Sequence, residues 1–137
     1  MKKSIVVVYY VLVVFIAFSF ITSGYYEITK SPEVFSKSVN EMGYPPYFIV
    51  SLGYLKLLGC ATLLISIAIK NKWFIRFGEW VLVCFLSDVV FAFISEVNIS
   101  SQAGTVKTIV VFIILLVTLL LHLCKKEESS KKTKAVI

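Results

Sequence analysis

Residues 47–69 read YFIVSLGYLKLLGCATLLISIAI, and residues 74–95 read FIRFGEWVLVCFLSDVVFAFIS. At a rise of about 1.5 Å per residue, a helix of either length crosses the roughly 30 Å hydrocarbon core of a bilayer. The connection between the two runs leaves room only for a tight turn. We therefore predict two transmembrane helices that are antiparallel neighbours.

Two further apolar runs, residues 5–24 and 107–124, flank this pair. The 137-residue chain is 58% hydrophobic, above the roughly 45–50% of soluble domains. We predict an all-α bundle of four transmembrane helices, a single membrane domain over residues 1–124. A cleaved signal peptide is the alternative for the first run, but this run exceeds the usual apolar core of about 7–15 residues and lacks an A-x-A site.

The orientation follows from the basic residues that flank the four spans, since Lys and Arg stay preferentially on the cytoplasmic side. One side carries Lys2, Lys3, Lys70, Lys72, Arg76, Lys125, Lys126, Lys131, Lys132 and Lys134. The other side carries Lys30, Lys37 and Lys107. We predict that both termini are cytoplasmic and that the protein is a multi-pass protein of the cell membrane. The positive charges flank apolar runs, so we expect no binding of nucleic acid.

The extramembrane segments differ in composition. Ser31-Pro32-Glu33 is typical of a helix start, and we predict a short interfacial helix from Pro32 to about Met42 in the first outer loop. Gly43-Tyr44-Pro45-Pro46 is expected to end it. The basic tail, residues 125–137, has few apolar residues and is expected to be cytoplasmic and disordered.

Three charged residues of the predicted spans, Lys56, Glu79 and Asp88, are candidates for a functional site, because a charge costs roughly 2.5–3.5 kcal/mol at the centre of a transmembrane helix. Lys56 lies nine residues and Asp88 seven residues from the same membrane face, or about 13 and 10 Å. We predict that they face each other, either as an ion pair that sets helix register or as part of a binding site. Glu79 completes this hypothetical intramembrane polar site, although an ion pair near the cytoplasmic boundary with Arg76 or a neighbouring lysine is its simpler interpretation.

Other residues indicate packing rather than chemistry. Gly53 and Gly59 form, with Lys56, a strip that allows close helix packing. His122 is expected to snorkel to the boundary. No catalytic residue and no metal site is predicted, because the sequence has no nucleophile elbow, phosphate loop or metal-ligand spacing. The cysteines, at positions 60, 84 and 124, are expected to be buried and unreactive.

Four segments together resemble the DoxX-like family of small membrane proteins: Ser23-Gly24, EMGYPPY at residues 41–47, LGYLKLLG at residues 52–59 and RFGEW at residues 76–80. The resemblance implies a four-helix bundle in the cytoplasmic membrane of a bacterium, with Lys56 and Glu79 at the family's polar motif positions. It also implies an association with quinone-linked oxidation, because better-studied relatives act there as partners of other subunits.

The leading hypothesis is a non-catalytic or accessory membrane subunit, linked to a quinone-dependent redox system, with a polar intramembrane site. A small proton-coupled transporter and a purely structural bundle are the alternatives. No cofactor is predicted, and a quinone or a lipid is left open as a ligand. Besides the lipid bilayer, a partner subunit or a second copy of the chain is left open as a partner.

Overall fold

The computed structural model describes residues 3–69 and 72–134, and within these ranges it contains helices and no strand. Four helices are long and apolar enough to cross a membrane, which confirms the predicted four-helix transmembrane bundle. The long helices are α1 (Lys3–Ile28), α3 (Pro46–Ala68), α4 (Lys72–Asn98) and α5 (Gln102–Lys134). A short helix, α2 (Pro32–Ser36), continues into a π-helical turn (Lys37–Glu41).

The helix ends follow local backbone chemistry. Helix α1 continues four residues beyond the predicted span and ends where Lys30 adopts a left-handed conformation, with the Ser31 amide donating to the Tyr26 carbonyl. Helix α3 begins at Pro46, a favoured first position, after Pro45 in an extended conformation. The extension of α1 brings Glu27 into the first transmembrane helix.

Helix α5 is longer than predicted at both ends. It begins at Gln102, five residues before the start of the predicted span. At the other end its backbone stays helical to Lys134, although the tail from residue 125 was expected to be disordered. Lys and Glu are good intrinsic helix formers, which favours continuation of the helix through this basic segment. Residues 135–137 lie outside the described part of the chain, as does Lys70.

The four long helices pack in a ring in which α3 contacts α1 and α4, and α5 contacts α4 and α1. The predicted neighbours in the middle of the chain, α3 and α4, are thus in contact. Each helix contributes to one apolar core, which includes Phe20 and Phe85 stacked with their ring centroids 4.1 Å apart. The outer surface is also apolar, with exposed side chains such as Phe18 and Leu58, as a lipid-facing surface requires.

Residues 32–44, here called the cap, include α2 and the π-helical turn and lie between α1 and α3 in the chain. The predicted helix from Pro32 to about Met42 is therefore present in two parts, and its position at a membrane interface stays a prediction. Lys37 forms an ion pair with both carboxylate oxygens of Glu96 at 2.7 and 2.8 Å. Tyr44 shares a hydrogen bond of 2.5 Å with Ser95. These two contacts hold the cap against the end of α4.

Candidate functional site

The site begins with a close approach of α1 and α3. A Cβ added at Gly53 would lie 2.8 Å from the Gly24 carbonyl oxygen, and one added at Gly24 would lie 2.9 Å from the Gly53 carbonyl oxygen. Only glycine allows two helix backbones to come so close. The contact places Ser23 and Glu27, on either side of Gly24, beside Lys56.

Lys56 is the centre of a buried polar group that we call the charge cluster: Ser23, Glu27, Lys56 and Asp88. Its ammonium lies 2.5 Å from Glu27 Oε1 and 3.4 Å from Asp88 Oδ2. It also donates to Ser23 Oγ at 3.4 Å, and the Ser23 hydroxyl donates to Glu27 Oε1 at 3.1 Å. Lys56 and Glu27 are only 8% and 7% exposed.

Helices α1, α3 and α4 each supply one charged member of this cluster. The structure thus brings together Lys56 and Asp88, the two residues that the sequence places at similar depths in the membrane. Glu27, which was not predicted, is the closer partner of Lys56. A carboxylate and an ammonium at such distances in a poorly hydrated interior stabilise each other's charged form.

Glu27 could have been found from the sequence only by extending the first helix past Gly24. The run Tyr25-Tyr26-Glu27-Ile28 precedes the Lys30-Ser31-Pro32 break, and a helix that continues to the break places Ser23 and Glu27 one turn apart. The predicted first span instead ends at residue 24, where the apolar run stops. This assignment left Glu27 outside the membrane.

A cavity of about 620 Å³ lies beside the charge cluster. All four members of the cluster line it, and its remaining walls are mostly apolar. Leu55 of α3 and Phe91 of α4 line the cavity and are themselves 64% and 65% exposed, so it opens on the bundle surface between these helices. The cap covers part of it, through Ser38, Met42 and Tyr44.

One atom of the cluster is left over. Glu27 Oε2 is buried, and no hydrogen-bond partner lies near it among the residues that the structure describes. Buried polar atoms are rarely unpaired, because losing water without a replacement partner costs about 1–3 kcal/mol. This oxygen has almost no accessible surface, so a molecule in the cavity does not reach it in this arrangement of the side chains.

Glu79 lies apart from the charge cluster. It lines a second, smaller depression together with Arg76, Trp80 and Val83. The structure thus does not bring all three predicted site residues together. Nine residues separate Glu79 from Asp88, which on an α-helix is two and a half turns and about 13 Å.

The second glycine of the predicted packing strip contacts a side chain rather than a backbone. A Cβ added at Gly59 would lie 2.8 Å from a ring carbon of Phe85. Gly53 and Gly59 therefore differ in what they allow: the first permits backbone contact between α1 and α3, and the second accommodates an aromatic ring of α4.

His122 is 5% exposed, so the expectation that it would snorkel was wrong. Its Nε2 lies 3.1 Å from the Ile75 carbonyl oxygen and its Nδ1 lies 2.7 Å from the Tyr9 hydroxyl. Because a carbonyl can only accept, Nε2 carries the donated proton, and in the neutral ring Nδ1 accepts from Tyr9. His122 thus connects α5 to α4 and to α1.

The cysteines were also only partly as expected. Cys60 is buried, whereas Cys84 and Cys124 are exposed, and all three are free thiols. Cys84 lines the cavity. Within residues 3–69 and 72–134, no group of three His, Cys, Asp or Glu residues is arranged to hold a metal ion.

Comparison with known protein families gives a match. The sequence profile of the DoxX-like family matches residues 11–124, a range that includes the whole charge cluster, all of α3 and α4, and most of α1 and α5. No curated protein and no solved structure shows a significant match to the chain.

Proposed function

The chain belongs to the DoxX-like family, and from that premise we propose that it is a non-catalytic, accessory membrane subunit that binds the polar head of an amphipathic molecule beside Lys56. The observation that carries the proposal is the cavity with the charge cluster at its side. Its volume of about 620 Å³ is in the roughly 300–1,000 Å³ range typical of small-molecule sites.

The lining of the cavity supports a ligand with a polar head and an apolar tail. Polar groups are concentrated at Ser23, Glu27, Lys56 and Asp88, and apolar side chains form the walls towards Leu55 and Phe91. The opening between α3 and α4 faces the surface that lipid surrounds. A lipid or an isoprenoid quinone could therefore enter sideways and leave its tail in the bilayer.

The accessory role and the quinone link rest on the family relationship. An accessory subunit would position or shelter a membrane-soluble molecule for a partner protein that carries out the chemistry. The same relationship, together with the bias of basic residues, supports our proposal that the protein lies in a bacterial cytoplasmic membrane with both termini inside.

The separation of Glu79 favours binding over transport. A proton-coupled carrier that used Glu79 in addition to Lys56 and Asp88 would need all three along a common path. Glu79 instead lines its own depression, and the core residues Leu63 and Leu82 are fully packed, at 0% and 1% exposed. We therefore place the carrier second.

Purification from native membranes in a mild detergent tests the proposal, followed by mass spectrometry of the bound small molecules and proteins. Ala92 lines the cavity, so Ala92→Trp should fill it and remove the bound amphiphile. Ala61→Trp is the matched control, since Ala61 is exposed and does not line the cavity. Isolation of the wild type without ligand or partner, or retention of the amphiphile by Ala92→Trp, would contradict the proposal.

A further inference from the structure

With both of its carboxylates ionised, the charge cluster carries one more negative than positive charge, and this excess bears on which head group it accepts. Glu27 and Asp88 contribute two carboxylates, and Lys56 contributes one ammonium. An uncompensated charge in a poorly hydrated interior is costly unless a cation or strong hydrogen-bond donors approach it. Electrostatics alone therefore favours a positively charged ligand.

The hydrogen-bonding capacity of the cluster points the same way. A lysine ammonium has three N–H donors, and Lys56 has three acceptors around it, on Glu27, Ser23 and Asp88. A ligand that can only accept hydrogen bonds, such as the carbonyl of a quinone, would have to displace one of them. A ligand that donates hydrogen bonds can instead approach Asp88, whose side chain lines the cavity and is 19% exposed, against 9% for that of Glu27.

Aromatic rings complete the surroundings. Tyr44, Phe48, Phe85 and Phe91 line the same cavity. The face of an aromatic ring attracts an ammonium within about 6 Å, most strongly where water is excluded. A carboxylate would meet the opposite effect from both the rings and the excess negative charge.

We propose that the cavity is selective for an alkyl-linked primary ammonium, which donates to the Asp88 carboxylate and neutralises the excess charge of the cluster. This inference rests on the proposed function, because it specifies the head group of the amphiphile. A free long-chain amine and an aminophospholipid such as phosphatidylethanolamine both present this group.

Cys84 offers a direct readout, because it is an exposed thiol that lines the cavity, whereas Cys124 is exposed and lies outside it. The protein is placed in phosphatidylcholine nanodiscs and labelled with methyl methanethiosulfonate, and the labelling rate of each cysteine is measured by peptide mass spectrometry. Decylamine, decanol and decanoate are compared at equal membrane concentration. Nanodiscs that contain phosphatidylethanolamine test the lipid as the source.

Decylamine or phosphatidylethanolamine should slow labelling at Cys84 and leave Cys124 unchanged. Decylamine should bind at least about tenfold more tightly than decanol, a difference of about 1.4 kcal/mol. The ammonium compound that protects Cys84 shows whether the ligand is a free amine or an aminophospholipid. Equal protection by decanol or decanoate would refute the selectivity and leave the proposed function standing, whereas no protection by any amphiphile would contradict both.

Two substitutions should shift the affinity in opposite directions. Asp88→Asn makes the cluster neutral and should weaken decylamine binding about tenfold without affecting decanol. Lys56→Ala leaves two carboxylates and should strengthen decylamine binding. Glu33→Gln is the control, since Glu33 is an exposed carboxylate of α2 that does not line the cavity. Unchanged decylamine affinity in a folded Asp88→Asn protein would overturn the proposal, even if Lys56→Ala does not fold.

Discussion

Gly53→Ala should separate α1 from α3 and damage the charge cluster without altering any of its members. The new Cβ would lie 2.8 Å from the Gly24 carbonyl oxygen, and ordinary contact begins at 3.4 Å, so one backbone must move by 3.4 − 2.8, or about 0.6 Å. The Glu27 Cβ at 3.0 Å and an Ile28 side-chain carbon at 2.9 Å block movement in the other directions. Glu27 must therefore shift relative to Lys56.

Overpacking of this kind costs about 1–3 kcal/mol. The better helix propensity of alanine offsets up to about 1 kcal/mol of it. Gly59→Ala is the matched control, because it makes the same change in the same helix but meets the far end of a side chain, the Phe85 ring, rather than a backbone. We expect Gly53→Ala to be the less stable variant by at least about 1 kcal/mol.

The assay is reversible unfolding in mixed micelles, with increasing dodecyl sulfate and helicity as the signal. Amphiphile protection of Cys84 is measured on both variants under folding conditions. Gly53→Ala should weaken this protection, and Gly59→Ala should affect it less. Equal stability of the two variants, with equal protection, would refute the idea that backbone contact at Gly53 positions Glu27.

Other contacts make simpler predictions. Lys56→Met should lower the free energy of unfolding by about 3–5 kcal/mol, because it leaves buried carboxylates without a compensating charge. The Lys56→Met/Asp88→Asn double variant should lose less stability than the sum of the two single losses. Additive losses would argue against direct coupling of the two residues. Tyr9→Phe removes a buried donor to His122 and should lower the free energy of unfolding by about 1–3 kcal/mol. Lys37→Met breaks the partly buried ion pair of the cap, so hydrogen exchange of the cap amides should accelerate by a factor of about five or more. Unchanged exchange would show that this pair does not hold the cap. The proposed orientation, with both termini inside, predicts that a fluorescent protein fused to the C-terminus fluoresces in a bacterial host and that a phosphatase fused there is inactive. The reverse result would overturn this orientation.

Much of the site could not be predicted, because its geometry depends on how the helices pack rather than on the spacing of residues along the sequence. Lys56 and Asp88 stood out in the sequence, since a charge inside an apolar run of about 20 residues is costly and rare. Glu27 did not, because it follows the apolar run and its position depends on where α1 ends. The cavity depends on how three helices and the cap meet.

The sequence by itself determined the four crossings, because the absence of water in the bilayer requires long apolar helices that satisfy their own backbone hydrogen bonds. It also determined that α3 and α4 are neighbours, through the short connection between them. Only the tertiary structure decided that Glu27 is the nearest partner of Lys56, that Asp88 joins them and that Glu79 does not. These relations depend on the rotation and close approach of whole helices, which the contact of Gly24 with Gly53 sets through van der Waals packing.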